Sequence, residues 1–405
     1  MNKIDDIKVV QILDSRKKPT LGVSVIGGDK EGYFSVPSGA STGANEALEL
    51  RDENDSMEKA IFNIKNKIKN NLVGQDPLEQ ANIDKIMLDL DNTQNKTNLG
   101  GNSMIGVSIA NLKLGALLSD LPTYKYIQKI NNLDSKNKTP YLYMNLINGG
   151  KHAKNNLAFQ EYHVVPMTNN PQEAIDIGMR IINSLKSIIQ NELGEDSLEI
   201  GDEGGFAPKL SFVRQPLFLL KKAIEENKLE SKVRLALDVA ASSFYNDGKY
   251  KVDGIEITRE ELFTIYDRLI SEFDLFSIED PFYEEDFEAF KILKNKYKDL
   301  IVVGDDLTTT NKIRLEQAIK NDSINAIIIK PNQIGTITET FETINLALKN
   351  NIKVIISHRS GETNDDFIAD LAYAYGAFGL KSGAPTKSER LVKYNKLIKI
   401  TKENE

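Results

Sequence analysis

Three carboxylates in the second half of the chain are spaced in a way that could build a metal site. Asp238, Glu279 and Asp305 are each the first acidic residue after a short apolar run that reads as a β-strand. One such residue alone is equally well explained by loop solvation or helix capping, but three at the same point of consecutive units are not. Converging carboxylates repel one another unless a cation lies between them, and Mg²⁺ prefers oxygen ligands. The pattern therefore predicts a magnesium site.

Cationic side chains follow the next strand-like runs. Lys330, His358, Arg359 and Lys381 stand at the ends of these runs, and Lys330 comes directly after four apolar positions, which argues against a simple surface charge. Arg359 can bind a phosphate through two parallel hydrogen bonds. A lysine crowded by metal ions and other cations has a lowered pKa and can act as a base. A site with carboxylates and a metal ion on one side and cationic side chains on the other suits an anionic substrate, such as a phosphorylated acid.

Two glycine-rich segments and the scarce histidines are weaker signals. Residues 201–208 carry two carboxylates among glycines, which permit positive φ and close backbone approach, although a plain acidic turn explains them equally well. Residues 36–43 form a small-residue loop with three hydroxyls, which alone indicates only a mobile loop. His152 lies in a turn-like setting, whereas His163 lies in an apolar run and is expected to be structural.

The elements that must position these residues repeat along the chain. Beyond residue 140, apolar runs alternate with helical segments, and one strand, one helix and two loops need roughly 25 residues. This alternation favours a parallel sheet or a closed (β/α) barrel, in which residues just past the strands face one mouth. A doubly wound sheet is the competing interpretation, but no Gly-x-Gly-x-x-Gly follows a strand, so a dinucleotide fold has no support.

The N-terminal part of the chain has a different pattern, with predicted strands followed by predicted helices. Residues 7–13, 20–26 and 31–36 are β-branched runs that predict a three-stranded antiparallel meander. From residue 56 to residue 130 the apolar period becomes helical, so this part is predicted to be an α+β unit. The polar stretch 131–139 is the best linker candidate.

Composition narrows the functional class. The 405 residues include 59 acidic and 51 basic side chains, and the net charge of −8 argues against a nucleic-acid partner. The absence of cysteine excludes disulfides and cysteine-ligated metal sites. The acidic start of the chain is unlike a signal peptide, and the apolar runs are too short to span a bilayer, so we expect a cytoplasmic protein without a membrane partner.

Together, motifs along essentially the whole chain resemble those of the enolase family. Each short motif is weak by itself, whereas their joint occurrence in the family's order is very specific. The motifs are Asp14-Ser-Arg16, Val36-Pro-Ser-Gly-Ala-Ser-Thr-Gly43, Glu46-Ala-Leu-Glu-Leu-Arg-Asp52, Asn148-Gly-Gly150 with His152, Gln160-Glu161, Gly201-Asp-Glu-Gly-Gly-Phe-Ala-Pro208, Ser277-Ile-Glu-Asp-Pro-Phe282, Gly304-Asp-Asp-Leu307, Lys330-Pro-Asn-Gln-Ile-Gly335, Ser357-His-Arg-Ser-Gly-Glu-Thr363, Lys381-Ser-Gly-Ala-Pro385 and Ser388-Glu-Arg-Leu391.

The resemblance implies an α/β protein in which an N-terminal α+β domain, residues 1–132, caps a modified (β/α)8 TIM-like barrel, residues 133–405. It implies reversible dehydration of 2-phosphoglycerate to phosphoenolpyruvate, with Lys330 as general base and Glu203 as general acid. Two Mg²⁺ ions and Lys381 would stabilise the enediolate electrostatically. The remaining implied roles are first-metal ligation by Asp238, Glu279 and Asp305, second-metal ligation by Ser41, and substrate contact by His152, Gln160, Glu161, Arg359, Ser360 and Lys381.

The sequence also departs from the family pattern. Lys17 and Lys18 replace the usual Gly-Asn after Asp14-Ser-Arg16, and Lys151 replaces the usual Ser before His152. A specialised paralogue acting on a phosphonate analogue therefore remains an alternative. A non-catalytic role in binding at the cell surface is a second alternative, which would add surface display to the cytoplasmic location. The resemblance further implies a homodimer or a ring-shaped octamer of dimers.

Overall fold

The N-terminal part of the chain begins with an antiparallel meander. A computed structural model describes residues 2–39, 45–134 and 139–404. In it β1 (Asp6–Leu13), β2 (Pro19–Gly27) and β3 (Lys30–Ser35) pair in sequence order, which confirms the predicted sheet. β2 lies in the middle and is buried along most of its length, because one of its faces packs on a helix.

Helices cover that sheet. They are α1 (Glu58–Asn63), continued by a π-helical turn (Ile64–Ile68) and α2 (Lys69–Leu72), then α3 (Gln80–Asp91), α4 (Gly101–Leu118) and α5 (Thr123–Ile130). α4 lies so close to the sheet that a Cβ on Gly32 of β3 would stand 2.1 Å from the carbonyl oxygen of Ala110. A glycine is therefore required where the two backbones approach.

The rest of the described chain carries eleven strands. They are β4 (Tyr141–Asn148), β5 (Glu161–Pro166), β6 (Val233–Asp238), β7 (Tyr245–Asn246), β8 (Lys249–Val252), β9 (Ile255–Ile257), β10 (Ser277–Glu279), β11 (Ile301–Gly304), β12 (Ala326–Ile329), β13 (Lys353–Ser357) and β14 (Gly379–Lys381). β7, β8 and β9 form a small antiparallel sheet, and the other strands close into a barrel in which β14 pairs with β4. β5 pairs antiparallel with both neighbours, and the remaining barrel pairs are parallel.

The outer layer of the barrel is helical. Its helices are α6 (Pro171–Leu193), α7 (Gln215–Glu226), α8 (Arg259–Phe273), α9 (Phe287–Lys296), α10 (Lys312–Lys320), α11 (Pro331–Ile334), α12 (Ile337–Lys349), α13 (Phe367–Ala374) and α14 (Ser388–Asn404). α8 begins at a capping box in which Thr258 and Glu261 each accept the other's backbone N–H. The closed barrel and the sheet-and-helix unit before it confirm the predicted fold class.

Alternation along the strands divides the barrel core in two. Ala326 and Ile328 of β12 pack inside the barrel, whereas Ile327 and Ile329 pack outward against the helices. Successive strand residues point to opposite faces, so alternate residues line the barrel axis. No single helix in the described ranges is long and apolar enough to cross a membrane, and α4 with α5 passes that test only as a pair bent by 97°.

Candidate active site

The same alternation carries polar residues into the barrel mouth. In β12 the inward series Ala326 and Ile328 continues to Lys330, which comes directly after the strand. In β6 the inward Ala236 precedes Asp238 by two residues, and after β11 Asp305 continues the series from Val303. Lys330, Asp238 and Asp305 therefore face one cavity of about 180 Å³ at the carboxyl ends of the strands.

Lys381, the last residue of β14, lies among three buried carboxylates. Its Nζ is 2.9 Å from Asp238 Oδ2, 3.0 Å from both oxygens of Glu279 and 3.3 Å from Glu161 Oε2. Burial lowers the pKa of Lys381, but the carboxylates raise it by more, so the lysine is held as an ammonium. Two of the predicted metal ligands thus converge as expected, with Lys381 between them.

Lys330 and Asp305 form a second pair beside the first. Lys330 Nζ contacts Asp305 Oδ2 directly, and both side chains line the cavity. Burial lowers the pKa of Lys330, whereas Asp305 raises it by more, and the net direction is upward. This direction is opposite to the lowered pKa expected from the sequence, because the Asp305 carboxylate outweighs the neighbouring cations Lys381 and Arg359.

Glu203 lies on the glycine-rich segment and is fully buried. Gly204 has φ +89°, and a Cβ on Gly205 would stand 2.7 Å from the carbonyl oxygen of Asn145, so glycines are needed to bring the loop this close to the barrel. Glu203 Oε2 accepts a 3.0 Å hydrogen bond from Asn145 Nδ2. The segment is therefore packed against the barrel and forms part of the cavity wall, and it is not simply an acidic surface turn.

Two histidines flank Glu203. His358 Nε2 lies 3.3 Å from Glu203 Oε1, and His152 Nδ1 lies 3.6 Å from the same oxygen. Burial and the Glu161 carboxylate raise the pKa of Glu203, but the histidines lower it by more, so the net pKa falls below its ordinary value. Burial lowers the pKa of His152, whereas Glu203 and Glu161 raise it on balance. The environment thus favours the ionised form of Glu203 and the protonated form of His152.

The protonation of His358 follows from a third residue. Arg390, fully buried on α14, donates a 2.7 Å hydrogen bond to His358 Nδ1. A guanidinium can only donate, so Nδ1 accepts and the ring proton of neutral His358 lies on Nε2, facing Glu203. Burial and Arg390 lower the pKa of His358 despite the Glu203 carboxylate, in agreement with the neutral form. Sequence patterns indicated His358 only as a strand-end cation, and Arg390 appeared only within the motif Ser388-Glu-Arg-Leu391, with no role predicted for it.

The predicted substrate contacts lie on the same cavity. Arg359 is buried and donates to Glu46 Oε2 at 3.0 Å and to Asn332 Oδ1 at 3.1 Å. The remaining predicted residues that line the cavity are His152, Gln160, Glu161, Ser360 and Lys381, with the departure Lys151 at its exposed edge. Glu46 belongs to a motif of the resemblance but no role was predicted for it. His163, expected to be structural, lies 2.8 Å from Glu161 Oε2 and supports that carboxylate from inside the barrel.

The donor set fits a hard divalent cation. Asp238 Oδ1 is buried and has no hydrogen-bond partner among the described residues, and the candidate ligands are all carboxylate oxygens. Oxygens of Asp280, Asp305 and Asp306 also lie within 4.8 Å of one another. Asp280 was not predicted as a ligand, because only the first carboxylate after each strand-like run was considered. Ser41 lies outside the described residues.

The fold and the site define a class. A closed barrel with a lysine, a buried glutamate and metal-suited carboxylates at the carboxyl ends of its strands is built for acid–base chemistry on an anionic small molecule. The enolase N-terminal domain model matches residues 4–127, and the enolase C-terminal TIM barrel domain model matches residues 136–405. The chain belongs to the enolase family.

Relatives match nearly end to end. The chain is 43% identical to the enolase of Methanocaldococcus jannaschii over 408 residues, which covers 99% of this chain and 95% of that protein. It is 44% identical to the enolase of Methanosarcina acetivorans over 98% of this chain and 94% of that protein, and 42% identical to the enolase of Methanococcus maripaludis over 99% and 95%. Family membership makes the chain a lyase of the phosphopyruvate hydratase type, with a small-molecule substrate and a divalent metal, typically Mg²⁺.

Proposed function

We propose that the protein catalyses the reversible dehydration of 2-phosphoglycerate to phosphoenolpyruvate, with Lys330 as base and Glu203 as acid. The observation that carries the proposal is that Lys330, Lys381 and Glu203 line one cavity in a chain of the enolase family. The cavity has cations for a phosphate and a carboxylate, and it has separate groups for removing and supplying a proton.

Lys330 acts first in this scheme. Its Nζ contacts Asp305, which holds the amine at a fixed point of the cavity wall. A base must lie within hydrogen-bond reach of the proton that it removes and must itself be unprotonated, so Lys330 must first release the proton that Asp305 stabilises. A cation bound at the neighbouring carboxylates would favour the neutral amine, because a like charge lowers the pKa of a lysine. Lys381 remains an ammonium and faces the negative charge that develops when the C2 proton leaves.

Glu203 acts second. An anionic substrate brings negative charge to the cavity and favours the neutral form of a nearby carboxyl group, because like charges raise a carboxyl pKa. Glu203 must take up a proton before this step, and His152, whose Nδ1 lies 3.6 Å from Glu203 Oε1, is an adjacent group that can carry one. Protonated Glu203 then gives its proton to the departing C3 hydroxyl. The neutral Nε2–H of His358 faces the same carboxylate at 3.3 Å.

We propose Mg²⁺ as the metal, two ions per active site. Asp238, Glu279 and Asp305 would hold one ion, and Ser41 would contribute to the second. Bound Mg²⁺ would neutralise charge on the substrate carboxylate and lower the energy of the enediolate. The unpartnered Asp238 Oδ1 and the oxygen-only donor set support this assignment.

The substrate-binding roles remain proposals too. We assign phosphate binding to Arg359 and Ser360, and contact with the reacting end of the substrate to His152, Gln160, Glu161 and Lys381. The domain division at residue 132 is supported by the gap between α5, which ends at Ile130, and β4, which begins at Tyr141. We also propose a cytoplasmic homodimer or octamer of dimers.

A specialised substrate is the second candidate, and Lys151 favours it. This lysine lines the cavity where the family usually has Ser, and its charge would act on the substrate's anionic groups. The other departure leaves its turn intact: Lys17 adopts φ 62°, and the Lys18 N–H donates to Asp14 Oδ1 at 2.9 Å. No feature of the described residues favours the non-catalytic role in surface binding.

A metal-dependent assay tests the proposal. Purified protein should convert 2-phosphoglycerate to phosphoenolpyruvate with Mg²⁺, lose turnover in EDTA and regain it when Mg²⁺ is restored. A phosphonate analogue assayed in parallel decides between the two candidates. Faster turnover of the analogue would favour the specialised enzyme, and full activity on 2-phosphoglycerate after rigorous chelation would remove the metal from the mechanism.

A further inference from the structure

Lys330 and Asp305 belong to a closed circuit of hydrogen bonds. The backbone N–H of Lys330 donates to Thr310 Oγ1 at 2.8 Å, and Thr310 Oγ1 donates to Gln333 Oε1 at 2.8 Å. Gln333 Nε2 donates to Asp305 Oδ1 at 3.0 Å, and Lys330 Nζ closes the circuit on Asp305 Oδ2. Thr310 and Gln333 are fully buried, so solvent does not compete for these bonds.

The circuit has one consistent direction. A backbone N–H can only donate, so the single hydroxyl proton of Thr310 must point to the Gln333 side-chain oxygen. Asp305 as a carboxylate can only accept, so the amide nitrogen of Gln333 must face it. The orientation of the Gln333 amide is thereby fixed at both ends. Removal of the Thr310 hydroxyl would break two bonds and leave the Gln333 amide held only through its nitrogen, by Asp305 Oδ1 at 3.0 Å and Glu46 Oε1 at 3.4 Å.

The backbone that carries Thr310 is strained. Thr309 and Thr310 have φ 46° and 53°, in the left-handed region that β-branched residues rarely adopt. Surrounding bonds hold this turn in place: the Asp305 carbonyl accepts from the Thr309 N–H at 2.7 Å, and the Thr310 carbonyl accepts from Thr343 Oγ1 at 2.9 Å. Strain that the surroundings maintain is typical of functional sites. Here it brings the Thr310 hydroxyl within bonding distance of Lys330 and Gln333.

We propose that Thr310 and Gln333 are positioning residues that set the distance between the base Lys330 and the carboxylate Asp305. This inference rests on the proposed function, because it assigns a purpose to the pair that would remove the C2 proton. Thr310 holds the backbone of Lys330, and Gln333 holds the oxygen of Asp305 that Lys330 does not contact. A misplacement of about 1 Å in a reacting group can cost about 10²-fold in rate.

Thr309 offers a matched control for Thr310. It is the preceding residue, is equally buried and is also in the left-handed region, but its hydroxyl has no hydrogen-bond partner within the described residues. Thr309→Val and Thr310→Val therefore remove the same atom from the same kind of strained backbone. Only the second variant breaks the circuit. Thr310→Ser keeps the hydroxyl and tests for rescue if Thr310→Val folds poorly.

The experiment compares these variants in the full-length protein. Thr310→Val should lower kcat and the exchange of the C2 proton with deuterated solvent by about tenfold or more, while KM for 2-phosphoglycerate stays within about twofold. It should also weaken Mg²⁺ binding in calorimetric titrations without substrate, because Asp305 loses its restraint. Thr310→Ser should recover most of each loss, and Thr309→Val should match the wild type.

Equal behaviour of Thr309→Val and Thr310→Val would overturn the positioning role, and so would a loss confined to KM. Failure of the proposed function is recognised separately, because the wild type would then not convert 2-phosphoglycerate at all. In that case the Mg²⁺ titrations still decide: weaker binding in Thr310→Val alone supports the circuit, and equal binding in both variants refutes it.

Discussion

Asp84 accepts two hydrogen bonds from Thr338, one from its backbone N–H at 3.0 Å and one from its hydroxyl at 2.5 Å. Asp84 lies on α3 in the N-terminal part, whereas Thr338 lies in the first turn of α12 on the barrel. Ser108 of α4 accepts from the preceding N–H of the same turn, that of Ile337, at 2.9 Å. The N-terminal part therefore caps the barrel helix that follows the Lys330 loop.

The buried position of Asp84 predicts a pH-dependent contribution to stability. Burial raises the pKa of Asp84 from 3.8 to about 6, although hydrogen bonds from Ser108 and Thr338 lower it. The folded state thus binds the proton more tightly than the unfolded state does. The contribution is fully present below the unfolded pKa and is lost as the pH rises through about 6. Between pH 8 and pH 5 it should add about 1.4 kcal/mol to the free energy of unfolding.

Urea unfolding of the wild type and Asp84→Asn at both pH values measures this contribution. Asparagine keeps the shape and an oxygen acceptor but does not titrate, so the wild type should gain stability relative to the variant as the pH falls. A difference between the two proteins that is constant with pH, or that grows toward pH 8, would contradict the assignment.

Much of the site could be predicted because alternation along buried strands is regular. Asp238, Glu279 and Lys381 each end a barrel strand, and the period of two fixes which face they join. Lys330 and Asp305 extend the same series beyond β12 and β11. A polar residue that stands two positions after an inward-facing apolar residue, at the end of a strand, is therefore predicted to face the mouth of the barrel.

Other parts depend on contacts that no local pattern reveals. All residues of β5 are buried, as are most residues of the parallel strands of the barrel, so its residues give no indication that β5 runs in the opposite direction. Arg390 is a charged residue near the end of the chain, yet it is fully buried and bonds His358 Nδ1 and the carbonyls of Arg359 and Ser360. Glu46 meets Arg359 across hundreds of residues. Such pairs are set by how the elements pack.

Lys381→Met should destabilise the metal-free protein more than the metal-loaded protein. The substitution leaves Asp238, Glu279 and Glu161 buried without the ammonium that contacts all three. Removing one partner from a buried ionic cluster typically costs about 3–5 kcal/mol. Because divalent cations bind carboxylates, Mg²⁺ should recover part of the loss. Thermal unfolding in EDTA and in excess Mg²⁺ measures both effects.

The exposed Lys399 on α14 provides the control for that experiment. Lys399→Met removes a lysine that interacts only loosely with Glu403, at 3.9 Å, so its unfolding temperature should stay close to that of the wild type with and without Mg²⁺. Similar unfolding temperatures for Lys381→Met and Lys399→Met in EDTA would show that the carboxylates do not depend on Lys381.

Lys151→Ser should slow capture of the substrate without changing the chemical step. Lys151 is exposed at the cavity edge. Its positive charge attracts an anionic ligand at distances shorter than the screening length of the salt, which is longer at low ionic strength. We expect kcat/KM at low ionic strength to fall about threefold to tenfold, kcat to stay unchanged, and the difference to fade at high salt. Lys154→Ser, which changes an exposed lysine three residues on, is the control. An equal loss in both variants, or a loss that persists at high salt, would contradict steering by Lys151.

The last prediction separates the base from the acid by isolating proton removal from dehydration. Exchange of the C2 proton with deuterated solvent reports only the first step, because an enediolate lies between the two. Lys330→Ala should lose both exchange and dehydration. Glu203→Gln, which has nearly the same shape but supplies no proton in the same way, should retain exchange and lose dehydration. General acid–base groups typically contribute about 10² to 10⁴ in rate, so both losses should be measurable.

Two measurements make this comparison decisive. Calorimetric Mg²⁺ titration should show that both variants still bind the ion, with weaker binding in Lys330→Ala because Asp305 loses its direct contact there, and a folding defect would appear as a complete loss of binding. Exchange followed by nuclear magnetic resonance then compares the variants at equal metal occupancy. Because Lys330 contacts Asp305 and Glu203 lies beside His152, each substitution changes a different wall of the cavity. Exchange that survives in Lys330→Ala but not in Glu203→Gln would mean that the two roles are reversed.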